Sequence, residues 1–442
     1  MPSLAGIIFG GAEKWGEVKN DRSIIDGQTG TDVSWGMDSI GIGLIGAGGI
    51  GAYHRASIEG LEKQGLARLV AVADPWAERL AAEKGALEAR GVRWHLDYRD
   101  MLLAEKELDA VVIATPIPCH YEMAKACIER GLKVHLEKPP VPLVAQLEEL
   151  ISADASSSVS VGFQFIGSRC VQTLKRHIVD GKLGRVRQIR GGACWPRLDN
   201  YYGRASWAGK MTLEGAPVFD GPATNALAHL IHNIMYLAAG ERHGFAAPKE
   251  VMGELYRARP TLESYDTACL RGRFQDGVEF AVAVTHATEP ALPFQLEVRG
   301  DTGWGRISQD GARLETSDGV SLDAPETTQE LLDVNHANFI NVIMGRSDRF
   351  FTRLAETRGY VASTNGLLLS SGGIHGIGPA SIRQYEKEGQ GGYEVTGLRE
   401  AVEATMAGGK LFSEQGLPWA VARTEAVAIP FDSSRMNAHF PR

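Results

Sequence analysis

The stretch Ser39-Ile-Gly-Ile-Gly-Leu-Ile-Gly-Ala-Gly-Gly-Ile-Gly51 constrains the fold more than any other part of the chain. Ile40 to Ile45 is an apolar run that reads as a buried strand. It leads into Gly46-Ala47-Gly48-Gly49-Ile50-Gly51, a match to G-x-G-x-x-G. A helical pattern follows, with Tyr53, Ala56, Ile58 and Leu61 among its apolar positions. Strand, glycine turn and helix in that order are the context in which this fingerprint binds a dinucleotide. Gly46 permits the tight turn, Gly48 lets the backbone approach a pyrophosphate, and Gly51 lets helix and strand pack closely. With Gly49 and Ile50 they open a helix N-terminus, where free N–H groups and the helix dipole favour an anion. In a chain with 52 glycines the spacing alone is weak, and an ordinary α/β turn would also satisfy it.

The next strand strengthens the reading. Ala67 to Ala73 is apolar and ends at Asp74, 23 residues after Gly51. That is close to the spacing of the carboxylate that holds the adenosine ribose. Pro75 and Trp76 follow, and the first cation is Arg79. A carboxylate repels a 2′-phosphate, so NAD is expected rather than NADP.

The 442 residues allow two domains, and 44% hydrophobic with 23% charged residues is ordinary for a globular protein. A net charge of −8 without a Lys/Arg block argues against nucleic acid as a partner. Five scattered cysteines without a C-x-x-C pair indicate neither a zinc knuckle nor a disulfide framework. A reducing, cytoplasmic setting is expected. The apolar Leu4–Ala12 stretch is short and lacks a preceding basic residue, which makes a poor signal peptide. No membrane span is expected.

Residues 1–37, with Trp15 and Trp35, read as an N-terminal arm. Residues 38–162 alternate strand and helix. Strands are expected at 40–45, 68–73, 92–95, 108–114, 132–136 and 159–162, and helices at 52–64, 76–89, 98–104, 119–130 and 142–152. That order gives a doubly wound parallel Rossmann sheet. Residues 163–442 read as a second α/β domain, for substrate and oligomerisation. It opens with a helix over 167–180 and a strand over 185–193. Strands near 251–259, 265–274, 278–286, 294–299 and 304–308 then suggest a large open, mainly antiparallel sheet. Helices near 220–239, 325–345 and 396–412 are expected to cover one of its faces.

Two segments sit where open α/β sheets place ligands, at carboxyl ends of parallel strands. Ala114-Thr115-Pro116 ends the fourth strand, with His120 just beyond. Glu137-Lys138-Pro139 ends the fifth. Read alone, Lys138 would be a solvated loop lysine and His120 a helix N-terminal residue. After a dinucleotide fingerprint, Lys138 is aimed at the cleft beside the nicotinamide.

The succession of the glycine fingerprint, Ala73-Asp74, Ala114-Thr115-Pro116 with His120, and Glu137-Lys138-Pro139 resembles the Gfo/Idh/MocA oxidoreductases. The resemblance runs over roughly residues 40–420 and is tightest in the first hundred of these. It implies an N-terminal Rossmann domain, a C-terminal domain on an open sheet, and NAD(P)-dependent chemistry on sugars, inositols or related polyols. The family's second signature, Asp-x-Gly-x-His-x-x-Asp, falls on Asn225-Ala-Leu-Ala-His229-Leu-Ile-His232. His229 lies on the catalytic histidine of that pattern. Asn225, Leu227 and His232 depart from it. On one helix Asn225, His229 and His232 would share a face. Asn225 orients a ring without supplying charge, so Lys138 or the two histidines would share proton transfer. No carboxylate or cysteine accompanies the pair at ligand spacing, so no metal is expected.

Between these motifs lies Trp195-Pro-Arg197-Leu-Asp-Asn-Tyr-Tyr202, followed by Trp207. Aromatic rings cover apolar sugar faces and polar side chains bond hydroxyls, so Arg197, Tyr202 and Trp207 are expected to touch substrate, with Gln164 beside them. The same residues would also suit a subunit contact. The reading is an oxidoreductase moving a hydride between a secondary carbinol and nicotinamide C4. Lys138 would bond the reacting hydroxyl, His229 would take or relay its proton, and Asn225 and His232 would hold His229. Two alternatives use the same fold: a redox-neutral NAD-dependent glycosidase, and a non-catalytic nucleotide or sugar sensor. A homo-oligomer, dimer or tetramer, is expected from the open sheet.

Overall fold

The computed structural model describes residues 39–421 and 424–440, so the N-terminal arm expected at 1–37 lies outside the described residues. Six strands form the first sheet: β1 (Ile40–Ile45), β2 (Ala67–Ala73), β3 (Arg93–His95), β4 (Ala110–Ile113), β5 (Lys133–Leu136) and β6 (Val159–Val161). All neighbours pair in parallel, in the order β3-β2-β1-β4-β5-β6. The connections reverse direction between β1 and β4, and a crevice opens there at the carboxyl ends of the strands. The linking helices are α1 (Ile50–Lys63), α2 (Ala81–Glu88), α3 (Tyr98–Ala104), α4 (His120–Glu129) and α5 (Val144–Ala153). Alternate residues of each strand face opposite cores. On β4, Val111 and Ile113 pack with Met101, Cys127 and Leu147. Ala110 and Val112 pack with Ile58 and Leu61 on the other side.

After helix α6 (Arg169–Val179) the second sheet begins. Its strands are β7 (Val186–Cys194), β8 (Pro248–Arg257), β9 (Thr267–Phe274), β10 (Glu279–Thr285), β11 (Leu292–Gly300), β12 (Trp304–Ser308), β13 (Arg313–Thr316), β14 (Ser321–Asp323), β15 (His375–Gly376) and β16 (Val427–Ala428). The order is β14-β13-β12-β11-β7-β10-β9-β8-β15, with β16 also pairing β8. Most pairs are antiparallel; β7 with β10 and β8 with β15 are parallel. The longer helices that remain are α7 (Ala228–Ala238), α8 (Thr328–Ile343), α9 (Arg358–Ser371) and α10 (Leu398–Gly408).

The placement of these helices corrects the expectation that three of them cover one face of the second sheet. Gly191 and Gly192 of β7 point to opposite faces. A Cβ on Gly191 would meet Leu230 of α7, and one on Gly192 would meet Met406 of α10. So α7 and α10 lie on opposite sides. Helix α8 packs on the nucleotide sheet instead: Phe339 and Ile340 join Ile42, Leu44 and Val72 in one core. It starts with a capping box, Thr327 and Glu330 satisfying each other's backbone N–H groups. The helix expected over 220–239 is broken. A π-helical turn, Pro222–Ala226, precedes α7, and Leu227 between them has φ −111° and ψ 16°. Among the described residues no helix is long and apolar enough to cross a membrane.

Candidate active site

The glycine turn behaves as its spacing demands. Gly46 has φ +88°, and a Cβ there would lie 2.5 Å from the Ala114 carbonyl oxygen. A Cβ on Gly51 would lie 2.1 Å from the Gly46 carbonyl oxygen, so Gly51 is required by the turn itself. A Cβ on Gly48 would meet only the Leu80 side chain, at 3.9 Å, so the backbone face there is free of close contacts. Gly49 caps α1 with φ +55°, Ile50 is its first residue, and its first turn carries no acidic side chain. This cradle fits a pyrophosphate: an open backbone approach at Gly48 and a helix N-terminus without an acidic side chain in its first turn. Asp74 ends β2 and is buried; its carboxylate accepts the N–H groups of Ala47 and Trp76, both at 2.8 Å. These bonds tie the acid to the turn and hold it at the edge of the cradle.

Thr115 and Pro116 end β4, Thr115 half-buried and Pro116 exposed. His120 is buried behind them. Its two ring nitrogens lie 2.8 Å from the carbonyls of Thr115 and Pro139, so it clamps the β4 and β5 loops together rather than facing the cleft. Burial lowers its pKa. Glu137 is buried. Its Oε1 lies 3.0 Å from His54 Nε2, and its Oε2 accepts the Lys138 N–H at 3.0 Å. Burial alone would raise its pKa, but the His54 bond and nearby positive charge hold it down at about 2.

Lys138 reaches across to the second domain. Its Nζ donates to the Asn225 side-chain oxygen at 3.0 Å and to the Asn225 carbonyl at 3.3 Å. Asn225 in turn donates through Nδ2 to Asp220 Oδ1 at 2.8 Å. Asp220 is buried, accepts the Gly209 N–H at 2.7 Å and has Arg204 4.0 Å away. The chain enters this corner through Phe219, whose φ of +52° is rare for an aromatic residue. The Thr224 hydroxyl, bonded to the Phe219 carbonyl, holds that corner. Burial lowers the Lys138 pKa; Glu137 and Asp220 oppose the shift only in part. Burial raises that of Asp220, against the pull of Arg204.

His229 and His232 do not form one row with Asn225. His229 packs against Phe163 and Phe165, with ring centroids at 5.7 and 4.8 Å. Burial, with Lys138 nearby, lowers its pKa to about 3. His232 has no exposed surface. It stacks on Phe163 at 3.9 Å and Phe245 at 5.0 Å, and its Nε2 meets Thr352 Oγ1 at 3.2 Å. Gln164, between the two phenylalanines beside His229, is buried with its carbonyl oxygen unpaired. The aromatic segment folds on itself through its arginines. Arg197 lies over Tyr201 and Trp195, while Arg204 lies over Tyr201 and Trp207. Tyr202 packs under Arg259 instead. Asp220 and Arg204 are the participants that sequence reasoning missed.

Two packed sheets, one a parallel dinucleotide-binding sheet and one largely antiparallel, with a lysine site between them, define the class of two-domain nucleotide-dependent oxidoreductases. The family description "Oxidoreductase family, NAD-binding Rossmann fold" matches residues 40–165, and the GFO/IDH/MocA C-terminal domain matches 171–306. The chain belongs to the Gfo/Idh/MocA oxidoreductase family. It is 36% identical over 147 residues to inositol 2-dehydrogenase 4 of Saccharopolyspora erythraea, a match covering 33% of this chain and 42% of that protein. Levoglucosan dehydrogenase of Pseudarthrobacter phenanthrenivorans is 24% identical over 233 residues, 51% of this chain and 56% of that protein. The match thus spans less than half the length of the first relative. In fold, the chain is similar to the WlbA dehydrogenase of Bordetella pertussis in complex with NADH and UDP-GlcNAcA. The TM-score is 0.64 at 24% identity, covering 75% of this chain and 96% of that one. It is also similar to levoglucosan dehydrogenase in complex with NADH, with a TM-score of 0.65 at 19% identity, over 76% and 97%.

Proposed function

We propose that the protein is an NAD-dependent dehydrogenase that oxidises a secondary hydroxyl of a sugar or polyol, or reduces the matching ketone. The observation that carries this reading is the Lys138–Asn225–Asp220 chain at the carboxyl end of β5, on the same side of the sheet as the glycine turn that ends β1. Gly46–Gly51 and Asp74 would hold the nicotinamide cofactor, which would supply a hydride acceptor. A neutral lysine amine has two N–H bonds and one lone pair. Both N–H bonds are engaged by the two Asn225 oxygens, which leaves the lone pair for the substrate hydroxyl. As the carbinol C–H bond breaks, Lys138 Nζ takes the hydroxyl proton and the carbonyl forms. Burial is what makes the neutral amine accessible. Asp220, one asparagine away, offsets the charge that Lys138 then carries.

His229, held near 3, is neutral at ordinary pH. We assign it a hydrogen bond to substrate rather than the first proton transfer. His232 supports the stack behind it. Arg197, Tyr202, Trp207 and Gln164 are proposed for the substrate side of the cleft, with Arg204 and Tyr201 joining them. Asp74, fixed by two backbone N–H groups, supports NAD over NADP. Relatives named for inositol and levoglucosan support the carbohydrate class. A homo-oligomer formed through the open sheet of the second domain is part of the same proposal.

The test is mass spectrometry of products after incubation with NAD and a panel of sugars, polyols and glycosides. A keto-sugar with an equal amount of NADH is the expected outcome. A released aglycone without net NADH, or no product from a sample that binds NAD, would contradict it.

A further inference from the structure

Behind Glu137, three imidazoles meet: His54 of α1, His135 of β5 and His336 of α8. All three have 0% exposure. Each offers a ring nitrogen, and these atoms lie within 4.8 Å of one another. Glu137 Oε1 lies 3.0 Å from His54 Nε2, so His54 Nδ1 is the ring nitrogen that faces the other two imidazoles. His54 Nδ1 lies 2.7 Å from His336 Nε2. His135 is the anomaly. Neither of its ring nitrogens has a hydrogen-bond partner, and Nδ1 of His336 has none either. On β5 it sits between Val134 and Leu136, which face the opposite core, so its side chain is turned to α1 and α8. Leaving a buried polar group unpaired is costly, because its desolvation is not repaid by a hydrogen bond. Aliphatic residues would fill this position without that cost.

We propose that His54, His135 and His336 bind one divalent transition-metal ion of the zinc type, with Glu137 as the outer carboxylate that orients His54. Three imidazole nitrogens suit zinc, copper, nickel or iron rather than magnesium or calcium. A carboxylate on the distal nitrogen of a ligating histidine fixes its tautomer and raises its basicity. Nitrogens on one tetrahedral zinc stand about 3.3 Å apart, so His54 and His336 would open by roughly half an ångström, and His135, whose nitrogen lies within 4.8 Å of theirs, would close in on them. The site has no exposed surface, so its role is structural. It ties α1 and β5 to α8, and through His54 it fixes Glu137, which accepts the Lys138 N–H. The sequence gives no hint of it, because each ligand comes from a different element and no ligand spacing exists to read.

The experiment is metal analysis of the full chain, produced with added zinc or cobalt and desalted, beside His135→Leu and His336→Gln treated identically. The expected result is close to one ion per chain, a fall of about tenfold or more in either variant, and a melting temperature lowered by chelator only in the unsubstituted protein. Cobalt-loaded protein should show the visible bands of a tetrahedral nitrogen-ligated ion, absent from the variants. Metal-free protein whose His135→Leu variant melts no lower would overturn the proposal, because removing an idle buried imidazole costs nothing. Bound metal unaffected by both substitutions would overturn it equally, since the ion would then lie elsewhere.

Discussion

The chemistry proposed for Lys138 depends on what holds its amine. Its motif and strand-end position were readable in the sequence, but its partners were not. Asp220 lies five residues before Asn225, outside any helical spacing to His229, and it reaches the lysine only because the chain turns through a positive φ at Phe219. The expected row of Asn225, His229 and His232 assumed a continuous helix. The break at Leu227 removes that assumption, so Asn225 faces Lys138 while His232 stacks among aromatics. This arrangement predicts opposite responses to charge. Asn225→Asp places a carboxylate on the amine, favours the ammonium and should move the acid limb of the kcat profile for alcohol oxidation to higher pH. Asp220→Asn removes a carboxylate and should move the limb to lower pH. Profiles measured over the same range check both signs, and shifts in the same direction would exclude Lys138 as the titrating group.

At the scale of elements, β1, β2 and β4 of the nucleotide sheet were legible because each is a short, mostly apolar run. Helix α9 was not. Its sequence, RGYVASTNGLLLSS, has no apolar stripe because nearly every side is buried. Its hydroxyls serve the second sheet: Ser370 and Ser371 accept the N–H groups of Gly253 and Leu255, each at 2.9 Å. Helix α8 was legible as a helix but not in its destination, since periodicity shows that a face is buried and not against what. That destination is testable. Phe339→Ala, in the nucleotide-side core, should cost about 3–5 kcal/mol of stability by chemical denaturation and weaken NAD binding as well. At the glycine turn, Gly51→Ala drives a Cβ against backbone at 2.1 Å, which cannot rotate away. Such overpacking costs roughly 1–3 kcal/mol and should abolish NAD binding measured by titration.

The whole molecule carries several buried groups that resist protonation. His135 and His229 are held near 3 by burial, and Glu137 near 2 by its His54 contact against burial. In the unfolded chain the histidines protonate as pH falls through about 6.5 and the carboxyl through about 4.3. Between those values and the folded ones the unfolded state binds more protons, so stability falls as pH falls. The melting temperature should therefore be level near neutrality and drop below about pH 6.5, with each depressed group adding up to about 1.4 kcal/mol per pH unit. A melting temperature that holds or rises on acidification would contradict these burials. The proposed function rests on one amine, that of Lys138. The most direct test measures NAD binding and turnover on the same sample of Lys138→Ala, with the best substrate from the panel. The account predicts cofactor affinity within a fewfold of the unsubstituted protein and turnover reduced by about a hundredfold or more, the upper scale of general-base catalysis. Turnover that survives unchanged would contradict it.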